Sequence, residues 1–306
     1  MASSVSIANT GAFSQLISRD FKSVFFDEYK RWPEEYKAVA KMETMDGAYQ
    51  REGEMVGFNA LQEIGEGQAV PYDNFIQGNE KTIYPANFAL AFAVTENMWD
   101  DDQKGHIKKA FKELGKAAAL TKELKFWDIF NSGFVTTKRT GIDSKALLAT
   151  DHSLFGTGGT YANEAATGGS LNVTSLQASM NRFEKMQNDR GIVMPMKPKL
   201  LIVPPELRFE AEKLLKSEYD PENANKQVNT VGNKGLEFMV SHYLTSTTAW
   251  FLVGSKEDHD LRFITRKGLA MKSYDDFATG NAVFKATMRF QTTFVRWRGV
   301  DGNTGA

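Results

Sequence analysis

The stretch DGAYQREGEMVGFNALQEIGEGQAVPYDNFIQGNEK, residues 46–81, decides the fold of this chain. Its strand-forming residues are interrupted by six glycines and accompanied by seven acids, a pattern that predicts a long β-hairpin with little apolar surface. Two strands alone are at best marginally stable in water, and loops of this length in compact domains are usually functional or disordered. We therefore expect the hairpin to lie on another surface, and our hypothesis is that a second copy of the protein provides it.

Composition excludes several classes of protein before any motif is considered. A chain of 306 residues is long enough for about two domains with separate cores. Its formal net charge of -1 argues against wrapping nucleic acid by bulk charge, which needs a basic face, although a local basic patch stays open. The absence of cysteine excludes disulfides, thiol nucleophiles and thiolate metal ligands.

Targeting and membrane segments are not expected. Residues 1–15 lack the basic region and the apolar run of a secretory signal. No segment approaches the roughly 20 apolar residues that cross a bilayer. We expect a soluble protein that is made in the cytoplasm and has no membrane partner.

The first half of the chain predicts an arm, the hairpin and a long helix. Residues 1–45 contain a helical pattern broken at Trp32 and Pro33, which we interpret as an N-terminal arm. The hairpin occupies residues 46–82 as an extended loop. Apolar residues at three- and four-residue steps then predict a helix over 96–131, about 50 Å long at about 1.5 Å per residue. Its first acids and later lysines suit the helix dipole.

The second half predicts a discontinuous domain around an α/β insertion. Apolar and polar residues alternate over 284–294, the period of a strand with one buried face. This sheet needs a cover, and the long helix is the obvious candidate. We therefore predict one discontinuous domain of residues 83–133 and 255–306, with residues 134–254 forming an α/β domain inserted within it.

Two residues suggest metal chemistry. Asp102 and His106 are four residues apart on one helix face, a spacing that can bind a divalent metal. A metal-assisted hydrolase that uses this pair is the main alternative function. Our interpretation is an acidic helix start beside a solvated histidine, and we predict no catalytic residue, metal or cofactor.

Three further stretches contain residue types found in catalytic or binding sites. Residues 151–153, Asp-His-Ser, have the types of a triad, but neighbours in sequence rarely converge in space and no nucleophile-elbow glycines surround the serine. The glycines of 156–159 lack the Lys-Ser/Thr of a phosphate loop. They favour a flexible loop, or else the cleft of a two-domain ligand-binding protein. Residues 258–260, Asp-His-Asp, favour a polar turn over a metal site.

Charge separates two parts of the chain. Residues 46–81 have seven acids against Arg51 and Lys81, a net charge of -5, whereas residues 103–128 have seven lysines against three acids, a net charge of +4. Such runs often mean only two solvated faces. Our hypothesis is complementarity between copies, which would set register and encounter rate. The residues expected in this contact are Glu52, Glu54, Glu63, Glu66 and Asp73 on the hairpin and Lys104, Lys108, Lys112 and Lys116 on the helix.

Several strings give this order of elements a family resemblance. They are DHSLF at 151–155, LLIVPPEL at 200–207, AEKLL at 211–215 and WFLV at 250–253. Together with the arm, the acidic hairpin, the long helix, the insertion and the long-stranded last sheet, they resemble the major capsid proteins of tailed bacteriophages, which have the Hong Kong 97-type fold. Within that family the strings look most like the Mu-like major head subunit branch.

The resemblance implies an α+β fold of the Hong Kong 97 type, in which 46–82 is the extended loop, 96–131 the spine helix of the peripheral domain and 134–254 the axial domain. It implies a non-enzymatic major capsid protein, made in the host cytoplasm, that forms the icosahedral shell around double-stranded DNA in the virion. Implied partners are further copies in pentameric and hexameric capsomers, portal, scaffold or decoration proteins, and DNA bound without sequence preference. Some members crosslink subunits through a lysine and an asparagine, but no motif extends that reaction to Lys81.

Overall fold

The structure is a computed structural model of the chain. It describes residues 10–95, 97–98, 101–102, 104–217, 229, 231–232, 235–276 and 281–305, without the side chains of 10–20 and 275–276. The helices are α1 (Thr10–Arg31), α2 (Tyr36–Val39), α3 (His106–Asn131), α4 (Val173–Glu184) and α5 (Arg208–Lys216), with a 3-10 turn at Pro205–Leu207. The strands are β1 (Lys41–Thr44), β2 (Gln50–Val56), β3 (Ile76–Ile83), β4 (Ala86–Val94), β5 (His152–Leu154), β6 (Gly159–Tyr161), β7 (Leu200–Val203), β8 (Glu237–Val240), β9 (Trp250–Val253), β10 (Leu261–Asp276), β11 (Asn281–Phe294) and β12 (Val300–Asn303).

The chain divides into two compact units. Unit 1 comprises Met1–Glu34, Pro85–Leu124 and Thr265–Phe290, and unit 2 comprises Glu35–Tyr84, Lys125–Ile264 and Gln291–Ala306. One four-stranded sheet has the strand order β1-β10-β11-β4 and the other β12-β9-β7-β8, while β2-β3 and β5-β6 are two-stranded. This mixture of helices and sheets confirms the predicted α+β class.

In unit 1, helix α3 covers the sheet formed by β4 and β11, as the sequence predicted. Phe111 of α3 is fully buried, and its ring lies 5.0 Å from Phe92 on β4 and 4.7 Å from Phe284 on β11. Helix α1 reaches α3 at Gly115, where a Cβ atom would lie 2.6 Å from the backbone oxygen of Phe25. A side chain at Gly115 would therefore force the two helices apart.

Helix α3 begins later than the sequence predicted. It starts at His106 instead of residue 96, because the carboxylate of Asp102 accepts hydrogen bonds from the backbone N–H groups of His106 (2.8 Å) and Ile107 (3.0 Å). Gly105, at φ +69°, adopts a left-handed conformation that a helix cannot continue through. The helix has 26 residues and is about 39 Å long, shorter than the expected 50 Å or so.

The last strand lies in the sheet of the α/β region. Val300–Asn303 (β12) pairs antiparallel with Trp250–Val253 (β9), whereas the sequence placed 255–306 with the peripheral domain. Gly299, at φ +78°, makes the turn after β11, and a Cβ atom there would lie 2.5 Å from the backbone oxygen of Asp258. The alternation that reveals β11 ends before this turn, so the predicted domain bounds differ from units 1 and 2.

A hydrophobic core of unit 2 packs against its four-stranded sheet. Strands β7 and β8 pair in parallel, and β9 pairs antiparallel with β7. Leu201 on β7, Trp250 on β9 and Phe183 on α4 are fully buried in one cluster. Among the helices that the structure describes, none combines the length and apolar content that crossing a bilayer requires.

Candidate assembly surface

The predicted hairpin is present and has two parts. Strands β2 and β3 pair antiparallel, from Gln50 opposite Ile83 to Val56 opposite Ile76, with an irregularity between Gly53 and Met55. We call β2 and β3 the hairpin base. Residues 57–75 join them without a helix or strand, and we call them the hairpin tip. Both parts belong to unit 2.

Lys81 fastens the hairpin base to its own chain. Its ammonium group donates hydrogen bonds to the backbone oxygens of Thr140 and Phe294, both at 2.6 Å, and to the hydroxyl of Thr293 at 3.2 Å. Burial, helped by the charge of Arg139, lowers the pKa of Lys81 to about 8. All three ammonium protons are therefore used within one chain.

Arg262 makes a second attachment. Its guanidinium lies 3.0 Å from the carboxylate of Glu52 on β2 and 3.4 Å from that of Glu43 on β1. The same group donates to Asp260 at 2.5 Å. Glu52 and Arg262 are 210 residues apart in the sequence, so no local sequence pattern predicts this contact.

Glu54 enters the interior of unit 2. The residue is 2% exposed, and one carboxylate oxygen lies 3.7 Å from Arg298 and 3.9 Å from Arg296. Burial, and next the nearby charge of Asp189, raises the pKa of Glu54 to about 7. Arg298 itself is held by Asp189, at 2.7 Å.

Arg190 holds the two ends of the hairpin tip together. Its guanidinium donates to the backbone oxygens of Gly57 (3.0 Å) and Asn74 (2.8 Å) and lies 3.3 Å from the carboxylate of Asp73. That carboxylate also accepts from the backbone N–H of Asn59 at 2.8 Å. The bond from Asn59 is the main reason why the pKa of Asp73 is lowered.

The five hairpin acids expected at a contact between copies thus fall into two groups. Glu52, Glu54 and Asp73 lie beside arginines of the same chain. Glu63 and Glu66, in the hairpin tip, are exposed. Of these five acids, the two that make none of these arginine contacts lie in the tip, and their contact with a second copy stays a prediction.

The four lysines on α3 and just before it also differ. Lys104, Lys108 and Lys112 are exposed. Lys116 is partly buried, and its ammonium group lies 5.0 Å from the centre of the Trp32 ring. The first three are available for a partner, whereas Lys116 already makes a cation–π contact in its own chain.

The hairpin tip exposes apolar side chains that the described residues do not cover. Leu61 and Tyr72 are 101% and 99% exposed, and the rings of Phe58 and Phe75 pack only partly against each other, at 4.3 Å between centroids. Other exposed apolar residues in the tip are Ile64 and Val70. Contiguous exposed apolar surface on a soluble protein usually marks an interaction site.

The histidine between Asp151 and Ser153 belongs to a buried structural network. His152 is fully buried, with Nδ1 at 2.6 Å from Asp143 and Nε2 at 3.0 Å from the side-chain oxygen of Asn163. Its ring stacks on Trp297 at 4.4 Å. Both ring nitrogens are occupied, so neither is available as a general base for Ser153.

The other candidate sites also have structural roles. Asp102 caps α3, and His106 is exposed. Residues 156–158 lie in the turn between β5 and β6, which pair antiparallel, and Gly159 begins β6. Among the residues that the structure describes, no three His, Cys, Asp or Glu side chains are placed to hold one metal ion.

Comparison with protein families settles the kind of protein. The family model described as phage capsid protein matches residues 79–300. The chain belongs to the phage capsid protein family. It is therefore a structural protein, a major capsid protein and a component of the virion capsid. No curated protein matches the chain.

Solved capsid structures share the fold. The procapsid protein of bacteriophage JBD30 is similar with a TM-score of 0.55 and 16% identity, over 96% of this chain and 76% of that one. The mature capsid protein of bacteriophage PhiM1 gives a TM-score of 0.56 and 12% identity, over 89% and 86%. The Hong Kong 97-type fold is confirmed, whereas the Mu-like branch stays a prediction.

Proposed function

We propose that copies of this capsid protein form pentameric and hexameric capsomers of an icosahedral shell, in which the hairpin tip of one copy lies on the spine helix α3 of its neighbour. The observation that supports this best is the apolar surface of the tip. Leu61 and Tyr72 are essentially fully exposed in a segment whose two ends Arg190 clamps.

The clamp prepares the tip for a partner. Because Arg190 and Asp73 fix its ends, the tip loses less conformational freedom on binding than a free loop of the same length would. The residues between the clamped ends remain exposed. Such a segment can bend by different amounts in five-fold and six-fold surroundings while its attachment to unit 2 stays the same.

The remaining charges suit a contact between copies. Glu63 and Glu66 in the tip are opposite in sign to Lys104, Lys108 and Lys112 at the start of α3. Exposed complementary charges set register and encounter rate more than affinity. Apolar contact would supply most of the binding free energy.

The shell would enclose phage double-stranded DNA without sequence-specific contacts. A net charge of -1 fits this role, since a strongly basic lining would hold the DNA at each phosphate. Portal, scaffold or decoration proteins are further proposed partners, and the host cytoplasm is the proposed place of assembly.

Imaging tests the proposal directly. Purified protein, concentrated across a range of salt and pH, should show capsomers, shells or tubes in negative stain and high-mass species in mass photometry. A protein that stays monomeric in every condition, including high concentration, would overturn it.

A further inference from the structure

The site of Glu54 has room for the side chain but offers few contacts that stabilise the charged carboxylate. It lies on β2 opposite Gly78, where a Cβ atom would come within 3.0 Å of the Glu54 Cβ, so the glycine leaves the necessary room. The two guanidinium contacts of its Oε1, at 3.7 and 3.9 Å, are too long for hydrogen bonds. Its Oε2 is buried without a hydrogen-bond partner among the described residues.

The nearest arginine is committed elsewhere. Arg298 donates from Nη2 to Asp189 at 2.7 Å and from Nε to the backbone oxygen of Gln187 at 2.9 Å. Glu54 and Asp189 thus share one buried guanidinium, and Asp189 has the better geometry. Arg296, the other neighbour, keeps 47% of its side chain exposed, so water screens much of its charge.

A second buried acid of unit 2, Asp301, has the hydrogen bonds that Glu54 lacks. Asp301 is fully buried, and Arg182 donates to both of its oxygens, at 2.6 and 2.7 Å. Such bidentate pairing offsets only part of the desolvation cost of the charged form, because burial still raises the pKa of Asp301 to about 7. Glu54 has no equivalent, so its neutral form fits the site better than its ionised form.

We propose that Glu54 is a proton-operated latch for the hairpin: when protonated it holds the hairpin base on unit 2, and when ionised it loosens that attachment. Burial raises the pKa of Glu54 from 4.5 to about 7. The attached state therefore binds the proton more tightly than a released hairpin does. The stabilisation is complete below about pH 4.5 and is lost as pH rises through about 7.

Charged groups on several elements face Glu54. Asp189 and Asp143 raise the pKa of Glu54, and Arg296 and Arg298 lower it. The adjoining cavity, about 340 Å³ in volume, is also lined by the charged or titratable residues Lys41, Arg190, Glu257, Asp258, His259 and Asp260. Burial lowers the pKa of His259 to about 4 and that of Lys81 to about 8. His259 therefore stays neutral between pH 5.5 and 7.5, whereas Lys81 begins to lose its proton near the upper end of this range.

Hydrogen exchange of the full chain tests the latch. Amide protection in the hairpin base is measured from pH 5.5 to 7.5, corrected for intrinsic exchange, in the native protein, in Glu54→Gln and in Glu80→Gln. Glu80 is an exposed acid on β3 and provides the matched control. Native protein and Glu80→Gln should lose protection roughly twentyfold over this range. Glu54→Gln, which stays neutral, should not. Equal pH dependence in Glu54→Gln and native protein would overturn the proposal.

A second variant keeps the test decisive if Glu54→Gln folds poorly. Arg296→Gln removes a half-exposed cation that favours ionised Glu54, so the loss of protection should move to higher pH. An unchanged midpoint, or a midpoint shifted downward, would contradict the latch.

Discussion

The hairpin base and the hairpin tip satisfy their side chains in different ways. In the base, Lys81 donates to three acceptors of its own chain and Glu52 pairs with Arg262. In the tip, Leu61 and Tyr72 are fully exposed. The base is therefore attached to other parts of unit 2, whereas the tip has apolar surface that the described residues leave exposed. The hairpin is thus attached to its own chain at the base and exposes apolar contact surface at the tip.

Because of this difference, we expect changes in the base to affect folding and changes in the tip to affect assembly. Changes in the base should lower the stability of the subunit, because they leave buried polar groups unpaired. Changes in the tip should leave stability nearly unchanged, because exposed side chains contribute little to folding. Changes in the tip should instead lower the rate or the yield of assembly.

The largest effect on stability is expected for Arg298→Met. It leaves Asp189 buried without its cation, and breaking a buried pair in this way costs about 3–5 kcal/mol. Urea denaturation monitored by tryptophan fluorescence gives the change in free energy of unfolding. Arg296→Met, at a half-exposed site, is the control and should cost less than about 1 kcal/mol. Equal costs would show that the buried pair of Arg298 and Asp189 does not stabilise unit 2.

A smaller loss is expected for Lys81→Met. The backbone oxygens of Thr140 and Phe294 would lose their donor, at a cost of about 1–3 kcal/mol. Lys108→Met, on the exposed face of α3, is the matched control and should change stability by less than about 0.5 kcal/mol.

The pH dependence of the same lysine sharpens this prediction. Burial lowers the pKa of Lys81 from 10.5 to about 8, so the unfolded chain binds more protons between these values. Stability should rise as pH increases through this range. Lys81→Met should remove this rise. If Lys81→Met keeps the rise in stability, a group other than Lys81 titrates in this pH range.

The smallest effect on stability is expected for Glu63→Lys with Glu66→Lys. Both side chains are exposed in the tip, so the free energy of unfolding should change by less than about 0.5 kcal/mol. Assembly followed by light scattering should slow, most strongly at low salt, because exposed charges steer encounter. Assembly at the native rate in low salt would remove these acids from the contact.

The sequence predicted the elements whose signal is local. Alternation over 284–294 revealed β11, and the apolar spacing revealed most of α3. The start of α3 depended on which of three consecutive acids caps the helix and on the left-handed Gly105, and neither is visible from periodicity. The return of β12 to β9 follows a turn at Gly299, a contact between strands distant in sequence.

The sequence predicted the acidic hairpin but not which of its acids pair with arginines of the same chain. Counting charge over 46–81 treated every acid as available, because nothing local distinguishes Glu54 from Glu63. The structure distinguishes them through Arg190, Arg262 and Arg298, whose partners lie more than 100 residues away. Pairing over such distances follows from the tertiary fold.

The double variant Leu61→Ser with Tyr72→Ser tests the central claim most directly. Its urea denaturation midpoint and its particle count in electron micrographs should be compared with those of the native protein under one assembly condition. We predict a midpoint that is unchanged within error, because both side chains are fully exposed, together with the loss of shells. Shells formed at the native yield would contradict the account.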